Sequence, residues 1–229
     1  MIQANISKIK QKITQACAQI NRDPAAITLV AVSKGRTIEQ IRQAIDAGIT
    51  NIGENRIQEA LVKYNALGQT PYAARIKWHM VGHLQSNKAK DAVKIFDLIH
   101  SVDSLHLAQE IDKQAAKINK MQDVLLEVKT SPEETKLGLA PEDVIGVIKG
   151  ISALKNIRIQ GLMTIAPLLD DPQEARPYFR QLKELLDQIN NLRLTTYDLQ
   201  LLSMGMTDDF AIAIEEGANM VRVGRAIFA

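Results

Sequence analysis

A (β/α)8 TIM barrel is the fold class that this 229-residue sequence predicts, and three observations predict it. Short apolar segments alternate with amphipathic ones along the whole chain, the pattern of parallel strands joined by crossover helices. Eight such apolar segments can be counted, the number that closes a barrel. Gly/Ser-rich linkers are nearly absent, and 46% of the residues are apolar, enough for one sizeable core. Residues 1–229 are therefore expected to form a single domain. An open doubly wound sheet is the main rival, but it would normally show a glycine-rich phosphate turn after the first strand, and Val32-Ser-Lys-Gly-Arg36 lacks that fingerprint.

The elements follow in order. Ile2, Ile6, Ile9, Ile13, Ala16 and Ile20 recur at spacings of four and three, so one stripe of an N-terminal helix is apolar, and the helix stops before Pro24. Strands are expected at 27–33, 50–53, 77–81, 97–102, 123–130, 157–165, 199–203 and 219–223. Between the first two, Thr37-Ile-Glu-Gln40 reads as a capping box ahead of Ile41 and Ile45, with Gly48 as terminator. Ser86, Ser104 and Thr207 read as further helix caps, Pro141 suits a first helical turn, and Gly68 and Gly217 suit helix ends. Pro172 and Pro177 leave the start of the helix before the seventh strand undefined. After the eighth strand only Arg225-Ala-Ile-Phe-Ala229 remains, too short for a full outer helix. The N-terminal helix is expected to cover that gap.

Charge and composition narrow the function classes. Basic and acidic residues nearly cancel to a formal +2 and aromatics make up 4%, which disfavours a nucleic-acid groove lined with stacking platforms. Cys17 stands alone, which excludes an intramolecular disulfide and a cysteine metal cage and fits a reducing compartment. No apolar run approaches membrane-spanning length, and no signal-peptide core opens the chain. A cytoplasmic protein is expected.

Barrel chemistry collects where the strands end. Lys34 ends the apolar run from Thr28, at the rim of a buried sheet, where burial can free an amine for Schiff-base chemistry. Taken alone, the same lysine reads more simply as one that snorkels to solvent. The other strand ends shift the balance. Ser203, Gly205 and Gly224 follow strands seven and eight, whose loops often bind phosphate in such barrels, and helix starts near Thr207 and after Gly224 could add N–H donors. Arg222 lies two residues before Gly224, so alternation points both to the barrel interior. It is either a cofactor contact or a partner for a buried carboxylate. Asn55, just past strand two, reads equally as a contact to a ring substituent or as a helix cap. His79 and His83 sit in a strand and its exit, without the helical His-Glu context of a zinc protease, and are read as packing, loop-fixing or pocket-lining residues.

In that order, Ala31-Val-Ser-Lys34, Gly53-Glu-Asn-Arg-Ile-Gln-Glu59, His79-Met-Val-Gly-His-Leu-Gln-Ser-Asn-Lys88, Glu133-Glu-Thr-Lys-Leu-Gly138, Gly161-Leu-Met-Thr-Ile-Ala-Pro167, Leu202-Ser-Met-Gly-Met-Thr-Asp-Asp209 and Val221-Arg-Val-Gly-Arg-Ala-Ile-Phe228 run through nearly the whole chain. This set resembles the pyridoxal phosphate homeostasis protein family. The resemblance implies a fold-type III barrel like the N-terminal domain of alanine racemase, with pyridoxal 5′-phosphate as a Schiff base on Lys34. It further implies that Ser203, Gly224 and the backbone at Arg225 hold the phosphate, that Arg222 faces the pyridine nitrogen, and that Asn55 lines the site. Met80 departs from the residue the family often has there, and the chain ends at Ala229, where many members run on; neither touches these positions.

The implied role is to buffer or deliver the cofactor, with effects on amino-acid and keto-acid balance, rather than to catalyse. An arginine at the pyridine nitrogen weakens the ring as an electron sink. A racemase would also need a second acid/base, which alanine racemases take from a further domain and a dimer partner. A monomer is expected, with cofactor-dependent apoenzymes as possible partners and neither nucleic acid nor membrane. The alternatives are an amino-acid racemase or related pyridoxal phosphate enzyme, and a cofactor-free barrel enzyme acting on a phosphorylated sugar or acid.

Overall fold

The eight expected strands are all present and hydrogen-bond in sequence order into a closed parallel barrel. The structure is a computed structural model that describes residues 1–131, 133, 137–195 and 198–229. The strands are β1 (Thr28–Val32), β2 (Asn51–Glu54), β3 (Lys77–Met80), β4 (Leu98–Val102), β5 (Gln122–Glu127), β6 (Ile157–Met163), β7 (Leu201–Ser203) and β8 (Met220–Val223). Pairing of β1 with both β2 and β8 closes the ring, with Val30 opposite Asn51 on one side and Arg222 on the other.

Helices α1 (Ile2–Gln19), α2 (Ile38–Asp46), α3 (Ile57–Gly68), α4 (Ala89–Ile95), α5 (Leu105–Ala116), α6 (Val144–Ile151), α7 (Arg176–Asn191), α8 (Phe210–Glu215) and α9 (Arg225–Phe228) complete the chain. The capping box is formed at α2: Thr37 Oγ1 accepts from Gln40 N at 3.2 Å and Gln40 Oε1 accepts from Thr37 N at 3.0 Å. Ser104 caps α5, accepting from Leu107 N. Two expected caps are corrected. Ser86 opens a short 3-10 turn without a capping bond, and α8 begins behind Asp209, whose carboxylate takes the Met206 N–H, leaving Thr207 in the preceding turn.

Two apolar clusters follow from strand alternation. Val30, Val81, Leu98, Leu125, Met163 and Met220 fill the barrel, while a larger cluster fills the shell between strands and helices. The N-terminal helix packs on α8, α9 and α2 as expected, burying Ile2, Ile6, Ile9, Ile13, Ala16 and Cys17. Side-chain bonds pin it at both ends: Asn5 Nδ2 donates to the Ile227 and Ala229 carbonyls, and Arg22 donates to Ala218 O at 2.7 Å. Ile20, expected on the apolar stripe, lies past the helix end and is exposed. Among the described residues, no helix is long and apolar enough to cross a membrane.

Candidate functional site

The strand ends enclose a cavity of about 350 Å³ lined by Lys34, Asn55, Arg222, Gly224 and Arg225, with Thr207 and Asp208 on the β7 side and Val32, Val81, Ile165 and Met206 as apolar wall. Five of the six expected site residues thus meet in one place. Lys34 is exposed at the rim. The burial expected for its amine is absent: Lys34 lies in the turn that follows β1, past the buried Ser33.

Ser203 is the residue that the structure places elsewhere. It is fully buried at the end of β7, beneath the cavity, and its hydroxyl is taken up inside the barrel. Arg222 Nη1 donates to Ser203 Oγ and to Ser203 O, each at 2.7 Å, and Nη2 donates to Thr164 O at 2.9 Å. Three of the five guanidinium N–H groups are therefore committed to the barrel wall, which fixes the arginine plane and leaves two donors. Thr207, read from sequence as a helix cap, is half-buried in the cavity wall and offers the hydroxyl there.

A hydrogen-bonded chain continues downward from Ser203. His100 Nδ1 lies 2.9 Å from Ser203 Oγ, His100 Nε2 lies 2.9 Å from His79 Nδ1, and His79 Nε2 lies 2.9 Å from Asn51 Oδ1. Burial holds both rings neutral, His79 lowered to about 3 and His100 well below the usual histidine range. Asn51 Oδ1 can only accept, so His79 carries its proton on Nε2 and accepts at Nδ1. His100 must then donate from Nε2 and accept at Nδ1, so Ser203 donates to it and accepts from Arg222. All bonds run one way, Arg222 to Ser203 to His100 to His79 to Asn51, and they use every polar atom of both rings. The interior histidines are structural members of the arginine's support. His83 lies outside this chain, exposed, with Nδ1 3.3 Å from an Asp103 carboxylate oxygen.

Two acids face Arg222. Burial pushes Glu127 up to about 7, against the opposing pull of Arg222 and with added repulsion from Asp103. Asp209 is also raised, chiefly by burial. Burial lowers Arg222 to about 10 while Glu127 and Asp209 oppose the shift, so it stays charged at neutral pH.

Asn55 precedes Arg56 at the start of α3 and makes no capping bond there. Its Oδ1 is buried without a hydrogen-bond partner among the described residues. Gly82 makes this placement possible, since a Cβ at that position would sit 2.4 Å from the Asn55 carbonyl oxygen and 2.7 Å from its Cα. On the opposite rim Gly205 has φ +90, and a Cβ there would meet the Ala213 Cβ at 2.6 Å and the Phe210 Cα at 2.8 Å, so only glycine lets the β7 loop turn onto α8. An exposed ion pair from Arg225 to Asp208, 2.5 Å, joins the loops after β7 and β8 across the cavity mouth. Lys136, Glu134 and Thr135 of the fourth sequence motif lie outside the described residues. No group of three or more metal-ligating side chains occurs among the described residues.

The chain matches the family described as alanine racemase, N-terminal domain, over residues 2–229. It is also 43% identical over 223 residues to the pyridoxal phosphate homeostasis protein of Aquifex aeolicus (strain VF5), covering 97% of this chain and 95% of the relative. The chain belongs to the pyridoxal phosphate homeostasis protein family. Among solved structures, PipY of Synechococcus elongatus PCC7942, with PLP bound, superposes with a TM-score of 0.83 at 37% identity, covering 95% of this chain and 100% of that one. An alanine racemase of Clostridium difficile 630 superposes with a TM-score of 0.76 at 16% identity, covering 99% of this chain and 56% of the racemase. That likeness is one of fold, and it places this family's barrel with the racemase barrel.

The signals missed in the sequence are instructive. His100 and Ser101 interrupt an otherwise apolar strand and are both fully buried, beside a register shift between Ile99 and Val102. Two polar residues inside an apolar run were a legible sign of an interior network. Glu127, at the end of β5, gave the same kind of sign.

Proposed function

We propose that this protein binds pyridoxal 5′-phosphate reversibly through Lys34 and serves cellular supply of that cofactor, as a carrier rather than a catalyst. The carrying observation is that an exposed amine and a buried, wall-anchored arginine face one cavity beside the loops after β7 and β8. The name shared by the relatives and the PLP-bound relative support the same reading.

The residues present fit the group. Asn55 offers a buried acceptor with no partner, suited to a donor on a ring substituent. Thr207, Gly224 and the first N–H groups of α9, beginning at Arg225, suit a phosphate, with the Arg225 side chain nearby. Ser203 supports that rim from beneath through Arg222. When bound, the cofactor supplies an aldehyde that an amine can hold and a ring that can accept electrons.

Arg222 decides between holding and turning over. Its two uncommitted N–H groups can only donate, so a ring nitrogen facing it is an acceptor and stays unprotonated. An unprotonated ring withdraws electrons weakly, which suits retention and release. Val81, Ile165 and Met206 give one apolar wall, while the exposed side of Lys34 leaves a path for exchange with solvent or an accepting apoenzyme. In this reading residues 1–229 act as one domain, a cytoplasmic monomer.

The test is the visible absorption of purified protein with added pyridoxal 5′-phosphate, before and after borohydride, in the parent and in Lys34→Ala. A reducible band present in the parent and lost in the variant is expected; a band that persists in the variant sinks the assignment. Lys34-dependent deuterium wash-in at Cα of an amino acid would favour a racemase or related enzyme instead.

A further inference from the structure

A cluster of a buried lysine, a buried glutamate and a partly exposed glutamate sits beneath the Lys34 turn, outside the cavity. Lys63, on α3, is 4% exposed, and its Nζ donates at 2.6 Å to each of Ser33 O, Glu54 Oε1 and Glu59 Oε1. All three ammonium protons are thereby used. Glu59 Oε1 also accepts from Gly35 N at 2.6 Å, and Ser33 Oγ donates to Glu54 Oε1.

These bonds converge on one residue that takes no part in them. The Ser33 carbonyl belongs to the peptide group before Lys34, and the Gly35 N–H belongs to the peptide group after it. Lys63 grips the first and Glu59 grips the second, while Glu59 and Lys63 are tied to each other one turn apart on α3. Further bonds from Arg36 N to Ser33 O, 3.0 Å, and from Ser33 N to Gly53 O, 2.9 Å, complete the frame. Both peptide planes that set the direction of the Lys34 Cα–Cβ bond are held by α3 and the end of β2.

Stability alone is a poor reason for such a cluster, because desolvating the buried Lys63–Glu54 pair costs several kcal/mol per ion and apolar replacements of buried ion pairs are often neutral or better. The cost is visible here: burial raises Glu54 despite its bonds to Lys63 and Ser33, and Glu54 Oε2 has no partner among the described residues. Glu59 is lowered, since the bonds from Lys63 and Gly35 outweigh its desolvation, so it stays ionised as the strong acceptor that both need.

We propose that Glu59 and Lys63, supported by Glu54, are positioning residues for Lys34: they clamp the two peptide groups flanking it and so aim its amine into the cavity. The proposal rests on Lys34 being the attachment point. A floppy backbone would pay ordering entropy each time the linkage formed, and the clamp removes that cost in advance.

The test compares Glu59→Ala and Glu59→Gln with the parent, reading Gly35 amide hydrogen exchange without cofactor and the dissociation constant for pyridoxal 5′-phosphate. Glu59→Ala is expected to speed Gly35 exchange and weaken binding, each by about tenfold, the scale of one lost charge-assisted hydrogen bond. Glu59→Gln, whose amide oxygen can still accept from Gly35, should restore most of both. Lys63→Met should follow Glu59→Ala; if it does not fold, the Glu59 pair decides. Parent-like affinity in Glu59→Ala, with or without faster Gly35 exchange, overturns the proposal. Absence of any borohydride-fixed adduct on Lys34 in the parent is a different result and overturns the attachment reading itself.

Discussion

Acidification should destabilise this protein through the neutral histidines of the barrel interior. His79 is 3% exposed and held at about 3, whereas a histidine in the unfolded chain titrates near 6.5. The folded value is depressed, so below pH 6.5 the unfolded chain takes up a proton that the folded chain refuses. His79's contribution is complete above pH 6.5 and is lost progressively towards pH 3. Each pH unit in that window costs about 1.4 kcal/mol, so about 2 kcal/mol is gone at pH 5. His100 shifts in the same direction, through burial and then the charges of His79 and Arg222. The perturbation is His79→Gln, and the assay is urea unfolding of parent and variant at pH 7 and pH 5. The parent should lose about 2 kcal/mol more than the variant between the two pH values. Equal losses would refute the neutral, one-directional chain from Arg222 to Asn51.

Three further outcomes follow from the site. Glu127 is buried and raised to about 7, so its ionisation above the unfolded value near 4.5 opposes folding; Glu127→Gln should match the parent at pH 4 and exceed its stability by about 3 kcal/mol at pH 8, read by denaturant titration. Thr207→Val should weaken pyridoxal 5′-phosphate about tenfold while leaving pyridoxal, which lacks the phosphate, unchanged in equilibrium binding. Gly205→Ala should cost more than about 2 kcal/mol in unfolding free energy, since its φ of +90 and the 2.6 Å approach to Ala213 both penalise a Cβ.

The fold was legible because each barrel layer writes its own period. Ile41 and Ile45 behind Thr37, and Ile2, Ile6, Ile9 and Ile13 in α1, announce helices packed on one side, and the short apolar runs announce strands covered on both faces. That Lys34, Asn55, Arg222, Gly224 and Arg225 would meet in one cavity was legible because strand ends converge in any such barrel. What a strand end does not reveal is depth. Ser203 and Thr207 are four residues apart and both carry hydroxyls, yet one is sealed under Arg222 and the other faces the cavity. Nor does local pattern show a long-range partner: the bonds joining His100 to Ser203 and Lys63 to Ser33 connect separate βα units. Lys63 looks in sequence like one more charged helix residue, and only its burial reveals what it holds.

The central claim is that Lys34 is the cofactor's attachment point, and peptide mapping tests it most directly. Protein incubated with pyridoxal 5′-phosphate, reduced with borohydride and digested should carry the phosphopyridoxyl group on the peptide containing Lys34, in about one copy per chain. An adduct confined to another lysine, such as Lys136, or spread evenly over surface lysines, would contradict the account.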